Sequence, residues 1–145
     1  MNISKKNRVF FDSSVIIAGL ASPNGASSVL LGLSEMGLII PVISEKVVME
    51  VIRNIEKKLP NYVTHFYRLF KVMPFILVEL TEKNIKVAGK IINEKDSVIL
   101  AAAMSSEIDY LVSLDKHFLS IQCKTLSFKV CTPSKVVREV YIENH

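Results

Sequence analysis

The stretch Val9-Phe10-Phe11-Asp12-Ser13-Ser14 decides the fold, because three consecutive apolar residues close on a carboxylate and two hydroxyls. A short unbroken apolar run suits a strand covered on both faces, as in a parallel sheet between helices, where alternating polarity is not expected. Working outward from it, similar runs recur, and strands are predicted at 9–11, 38–42, 75–78, 110–114 and 128–131. Helical patterns fill the intervals at 26–36, 45–59, 61–70, 82–92, 97–107 and 133–142. Strands and helices taking turns imply an α/β fold.

Local signals support these elements. The first of the helices follows the turn residues Pro23, Asn24 and Gly25, and the second carries Val47, Val48, Val51, Ile52, Ile55 and Leu59 on one face, with Ser44 placed as its N-cap. Residues 97–107 are apolar on nearly every side, which predicts a buried helix. Pro133 opens the last helix, with Thr132 placed to cap it.

A chain of 145 residues, 50% of them hydrophobic, is the ordinary size and composition of one compact domain, here spanning 1–145. No run reaches the ~18 apolar residues of a membrane span. Lys5, Lys6 and Arg8 precede an apolar run over 15–21, but Asp12, Ser13 and Ser14 interrupt it, so an export signal is not expected. Cys123 and Cys131 lack metal-ligand or disulfide-framework spacing and read as ordinary buried thiols, consistent with a reducing cytoplasm. The net charge of +4 favours a polyanionic partner without identifying one.

Four acids stand out by position. Asp12 ends the first strand and Asp115 the fourth, in Tyr110-Leu111-Val112-Ser113-Leu114-Asp115-Lys116-His117. Ligands of open parallel sheets bind outside the carboxyl edge where strand order reverses, so the two would lie side by side if their strands are neighbours there. The competing reading is a helix cap or a turn residue at each. Asp96 begins the buried helix; an N-cap role is one account, and an ion-binding role that compensates a carboxylate near the interior is the other. Glu50 falls on the flank of its helix's apolar stripe, at ~100° per residue, where a solvated glutamate is the simpler reading. His117 reads as an exposed turn histidine.

Together these segments resemble the PIN domain (PilT N-terminus), a family of metal-dependent nucleases that includes the toxins of VapC-type toxin-antitoxin pairs. The resemblance rests on Asp12-Ser13-Ser14-Val15, on Ser44-Glu45 followed by Glu50, on Asp96 leading Leu100-Ala101-Ala102-Ala103, on Leu111-Val112-Ser113-Leu114-Asp115, and on Thr132-Pro133-Ser134. It implies a three-layer α/β/α sandwich with a mostly parallel sheet of four to five strands and an acidic site at its carboxyl edge. It also implies Asp12, Glu50, Asp96 and Asp115 as metal-holding catalytic residues, with Ser14 and Ser113 in support, acting on RNA. The family usually has asparagine at Ser14, often aspartate at Asn93, and commonly threonine and glycine at Ser113 and Leu114.

Hard oxygen ligands select Mg²⁺ or Mn²⁺, and phosphodiester hydrolysis needs the water activation and charge stabilisation such ions supply. Crowded carboxylates without metal repel, so at least one is expected to hold its proton above the pH of a free aspartate. Phosphate contacts from rim lysines and arginines would make RNA binding salt-sensitive. If the protein is a toxin, a short antitoxin should cover the cleft, and the apolar composition is compatible with a homodimer. The alternative is a PIN-like module that binds RNA or a partner and cleaves weakly. A haloacid-dehalogenase-type phosphatase ranks lower, since it needs a second aspartate where Ser14 stands.

Overall fold

A computed structural model describes residues 5–121 and 125–143. Its strands are β1 (Arg8–Phe11), β2 (Ile40–Ser44), β3 (Ile76–Val78), β4 (Tyr110–Val112) and β5 (Lys129–Cys131). The helices are α1 (Ser13–Ala21), α2 (Ala26–Glu35), α3 (Glu45–Lys58), α4 (Val63–Val72), α5 (Glu82–Ala88), α6 (Glu94–Met104), α7 (Lys116–Leu119) and α8 (Pro133–Glu143), with a 3-10 turn at Pro60–Tyr62 before α4. The strands form one sheet in the order β3-β2-β1-β4-β5, and every pairing is parallel.

That order has a physical consequence. From β1 the chain winds outward to β2 and β3, then returns across β1 to β4 and β5, so the reversal falls between β1 and β4. Right-handed crossovers then put α1 to α4 on one face and α5 and α6 on the other. Val9, Phe10 and Phe11 are all fully buried, as a central strand covered on both sides must be. Pro41 is tolerated inside the sheet because β2 pairs with β3 only from Val42 onward, so its missing N–H costs no rung there.

The helix ends follow their local chemistry. Ser44 accepts a hydrogen bond from the Val47 N–H at 3.3 Å, and Thr132 from the Lys135 N–H at 3.3 Å, the two caps expected from sequence. After α2, Gly37 adopts φ 75°, while the N–H groups of Gly37 and Leu38 donate to the carbonyls of Ser34 and Leu33, a Schellman stop that favours glycine. A Cβ at Gly19 would meet Leu31 at 2.5 Å, which explains how closely α1 and α2 pack.

Several boundaries differ from the sequence reading. β4 ends at Val112 rather than residue 114, although Ser113 N–H still reaches the Cys131 carbonyl at 3.0 Å, so Asp115 lies in the loop beyond the strand. The buried helix starts at Glu94, not 97, because Asn93 caps it. The helix from Glu82 stops at Ala88, where Gly89 and a set of turns take over. Cys131 is buried, and desolvation raises its thiol pKa; Cys123 lies outside the described residues. Among the described residues no single helix is long and apolar enough to cross a membrane, and the apolar segment of α1 supplies Val15 and Ile16 to the core.

Candidate active site

The carboxyl edge of the sheet at the β1/β4 reversal holds a cleft lined by Asp12, Ser14, Glu50, Asp96 and Asp115, with Arg53 and Lys95 among its other residues. Four acids far apart in the chain thus line one cleft because the ends of β1 and β4 and the N-terminal turns of α3 and α6 come together there. Asp12 follows β1, Asp115 opens α7 after β4, Glu50 sits in the second turn of α3 after β2, and Asp96 is in the first turn of α6.

Asp12 occupies the N-cap position of α1, yet its side chain makes no capping bond. Its Oδ2 instead accepts hydrogen bonds from Ser113 Oγ at 2.7 Å and Ser14 Oγ at 2.9 Å. The same two hydroxyls accept in turn from the backbone that follows β4. Ser113 Oγ accepts from the Asp115 N–H at 3.0 Å, and Ser14 Oγ from the Leu114 N–H at 3.1 Å. Two serines therefore lace the β1 and β4 ends together and aim Asp12 into the cleft. Asp12 thus takes the N-cap position without capping through its side chain, and the hydroxyls of Ser14 and Ser113 stand against its carboxylate.

Glu50 is not the solvated glutamate its periodicity favoured. Ser13 Oγ donates to its Oε2 at 3.0 Å, which turns the side chain from α3 toward α1 and the cleft. Periodicity does not mark this, since it depends on α1 and α3 packing side by side, whereas the family resemblance did imply Glu50. Asp96 is not the N-cap either. Asn93 Oδ1 accepts from the Asp96 N–H at 3.0 Å, and Asn93 Nδ2 donates to Asp96 Oδ2 at 2.8 Å, a reciprocal arrangement like a capping box that leaves Asp96 buried and fixed in orientation. Asp115 does cap, accepting the His117 N–H at 2.9 Å through Oδ1, and it also lines the cleft.

His117 is exposed as expected, but it stands in a helical turn with Nδ1 3.4 Å from both Asp96 Oδ2 and Asp115 Oδ1. Its spacing two residues after Asp115 was the available signal, and it becomes informative only once α6 is brought alongside.

Burial pushes the Asp12 carboxyl above the usual aspartate range, while the hydroxyls of Ser113 and Ser14 and the Ser13 N–H pull it back and the Glu50 charge adds to the rise. One acid holding its proton longer was expected from crowding; desolvation turns out to be the larger cause, since Asp12 is only 3% exposed. Among the described residues neither Asp12 nor Glu50 forms an ion pair. A divalent cation fits this donor set. Ligand atoms of Asp96, Asp115 and His117 lie within 4.8 Å of one another, and a cation held there would compensate the nearly buried Asp12 carboxylate nearby, which forms no ion pair of its own among the described residues.

Residues 8–117 match the model of the PIN domain family, which is most of the chain and contains all four acids. The chain belongs to the PIN domain family. PIN domains are generally nucleases, and the acidic cluster fits the divalent metals they usually use. Among solved structures, this PIN domain is similar to that of PAE2754 from Pyrobaculum aerophilum, with a TM-score of 0.65 over 94% of this chain and 90% of that one. The two are 14% identical in sequence, so the likeness bears on the fold. No curated protein sequence matches this chain.

Proposed function

We propose that this PIN domain is an endoribonuclease that hydrolyses RNA phosphodiester bonds with Mg²⁺ or Mn²⁺. The observation that carries the proposal is the convergence of Asp12, Glu50, Asp96 and Asp115 on one cleft whose walls also carry Arg53 and Lys95. Four carboxylates alone would repel a phosphodiester; bound divalent cations reverse that sign, polarise the phosphate and lower the pKa of an attacking water.

The chain's own residues have separate tasks in this reading. Asp12, Asp96 and Asp115 hold the metal directly or through water. Ser113 and Ser14 fix the Asp12 carboxylate so that no reorganisation is needed when substrate arrives. Glu50, held by Ser13, orients the attacking water or joins the ligand set. Replacing Asp96 by asparagine keeps the size and an amide oxygen that can accept from Asn93 Nδ2 while removing the charge. Asp96→Asn is expected to abolish Mn²⁺ binding by calorimetry and RNA cleavage together; retention of both would sink the proposal.

Ser14 and Asn93, where this chain departs from the family's usual residues, favour the catalytic reading over the weakly cleaving module. Each is built into the site, Ser14 on Asp12 and Asn93 on Asp96, rather than left as a gap.

Arg53 and Lys95 line the cleft, and among the described residues neither is engaged in an ion pair. They are therefore available to phosphate oxygens of the RNA backbone. Arg53→Ala and Lys95→Ala should each weaken binding of a single-stranded RNA across sequences alike, and lower the slope of log affinity against log salt by about 0.7. A titration by fluorescence anisotropy at several salt concentrations reads this out, and an unchanged slope would remove both residues from the phosphate path.

A further inference from the structure

The metal site need not be all oxygen. His117 Nδ1 is equidistant, at 3.4 Å, from one oxygen of Asp96 and one of Asp115. That distance is long for a charge-assisted hydrogen bond, which closes to about 2.7–2.9 Å, and one N–H cannot point along both lines at once. It lies within about 0.4 Å of the spacing of co-ligands around an octahedral ion such as Mn²⁺. With metal–ligand bonds of about 2.1 Å, neighbouring donors sit about 3.0 Å apart around an octahedral ion and about 3.4 Å apart around a tetrahedral one.

The local backbone supports the same geometry. Asp115 Oδ1 caps α7 by accepting the His117 N–H at 2.9 Å, which ties the histidine's main chain to the very carboxylate it would share a metal with. On the other side, Asn93 fixes Asp96 at 2.8 Å. Both carboxylates are thus held without help from the His117 ring, Asp96 by Asn93 and Asp115 by the His117 main chain, while the imidazole itself is exposed beside them.

We propose that His117 is a metal ligand of this PIN domain, giving its cleft a mixed nitrogen and oxygen donor set that favours Mn²⁺ over Mg²⁺. The inference rests on the nuclease reading above, because it places the ion between Asp96 and Asp115. An imidazole adds affinity for first-row transition ions and little for Mg²⁺, which prefers oxygen and retains its waters. The carboxylates alone would hold either ion; the histidine is what separates them.

The probes are MnCl₂ and MgCl₂ added to the purified full chain. Electron spin-echo envelope modulation of bound Mn²⁺ should show a directly coordinated ¹⁴N in the wild type, absent in His117→Ala. By calorimetry His117→Ala should lose about tenfold in Mn²⁺ affinity, the lower end of what disturbing a metal ligand's surroundings costs, with Mg²⁺ affinity changed less than about twofold. The side chain is 68% exposed, so the variant should fold, and circular dichroism checks it. Mn²⁺ bound without nitrogen modulation, or held as tightly or more tightly by His117→Ala, overturns the proposal, with His117 then acting as a counter-charge that competes with the ion. If Asp96→Asn abolishes Mn²⁺ binding in that case, the nuclease reading survives alone. Unchanged binding in both variants would end both.

Discussion

Asp12→Asn is expected to lower RNA cleavage by about three orders of magnitude or more while making the metal-free protein more stable at neutral pH. The first half follows from the site: several kcal/mol of charge stabilisation in a metal-assisted displacement are lost when a ligand carboxylate becomes neutral. The second half follows from burial. Asp12 is raised above its ordinary value chiefly by desolvation, so its ionised form is disfavoured in the folded chain relative to the unfolded one. The sign follows from linkage. A carboxyl whose folded pKa exceeds its unfolded value contributes stability that is fully present below the unfolded value, 3.8, and is lost as pH rises through the folded one.

Wild type is therefore the less stable protein above the folded pKa of Asp12, and the difference from Asp12→Asn should shrink as pH falls toward 3.8. Asparagine can still accept from the Ser113 and Ser14 hydroxyls through its Oδ1, so the network that binds the two strand ends survives the exchange. Metal should reverse the order. At an Mn²⁺ concentration about 100 times its dissociation constant, wild type gains about 2.7 kcal/mol and the variant gains far less. Thermal melts at pH 7 with and without Mn²⁺, and a pH series of urea titrations, check both signs. A variant less stable than wild type without metal would mean that Asp12 is compensated in some other way.

Phe11→Ala is the second, and its effect is on stability. Phe11 is fully buried at the end of the central strand, with its ring edge-on to Phe75 at 6.1 Å, and Phe75 in turn stacks on Phe70 of α4 at 5.9 Å. Truncating such a ring costs about 3–5 kcal/mol, from lost transfer free energy and the cavity left behind. Against a total of about 5–15 kcal/mol for a domain, that is a large share. Urea unfolding should show a lower midpoint at an unchanged slope. Cleavage should fall as well, since the residue after Phe11 is Asp12 and its aim depends on the strand end being held. Phe11→Leu should recover most of the stability, and a loss under about 1 kcal/mol for Phe11→Ala would mean that the three-ring cluster is not part of the rigid core.

These two expectations rest on different levels of the molecule, and they show where the sequence could be read. Apolar runs ending in Asp12 and Asp115 are local facts. The strand–helix alternation around them was enough to give the α/β class, the strand segments and the buried helix α6, whose residues Ile99 to Ala103 are all buried. Ser44 and Thr132 were legible as caps for the same reason, since a cap is decided within four residues.

The family resemblance implied Glu50 and Asp96, but local pattern did not show Glu50 or His117 at the cleft, and it left Asp96 open. Periodicity put Glu50 on a solvated flank because it describes one helix in isolation, whereas the Ser13 hydroxyl that turns it inward belongs to a different helix. His117 looked like an exposed residue because it is one; what matters is that α6 brings Asp96 to within 3.4 Å of it. For Asp96 the pattern left a cap role open because the apolar run starts at Ser97, while the backbone starts its helix three residues earlier at Glu94, capped by Asn93.

The sequence by itself thus determined the five strands to within about two residues at each end, which helix is buried and which acids follow strands, all consequences of short-range pattern and hydrophobicity. Only the tertiary structure decided that β1 and β4 are neighbours, that two serines lock their ends together, and that a glutamate and a histidine face the same cleft. The reason is that a charge's role depends on what surrounds it in space, and those neighbours lie as far as 101 positions away along the chain.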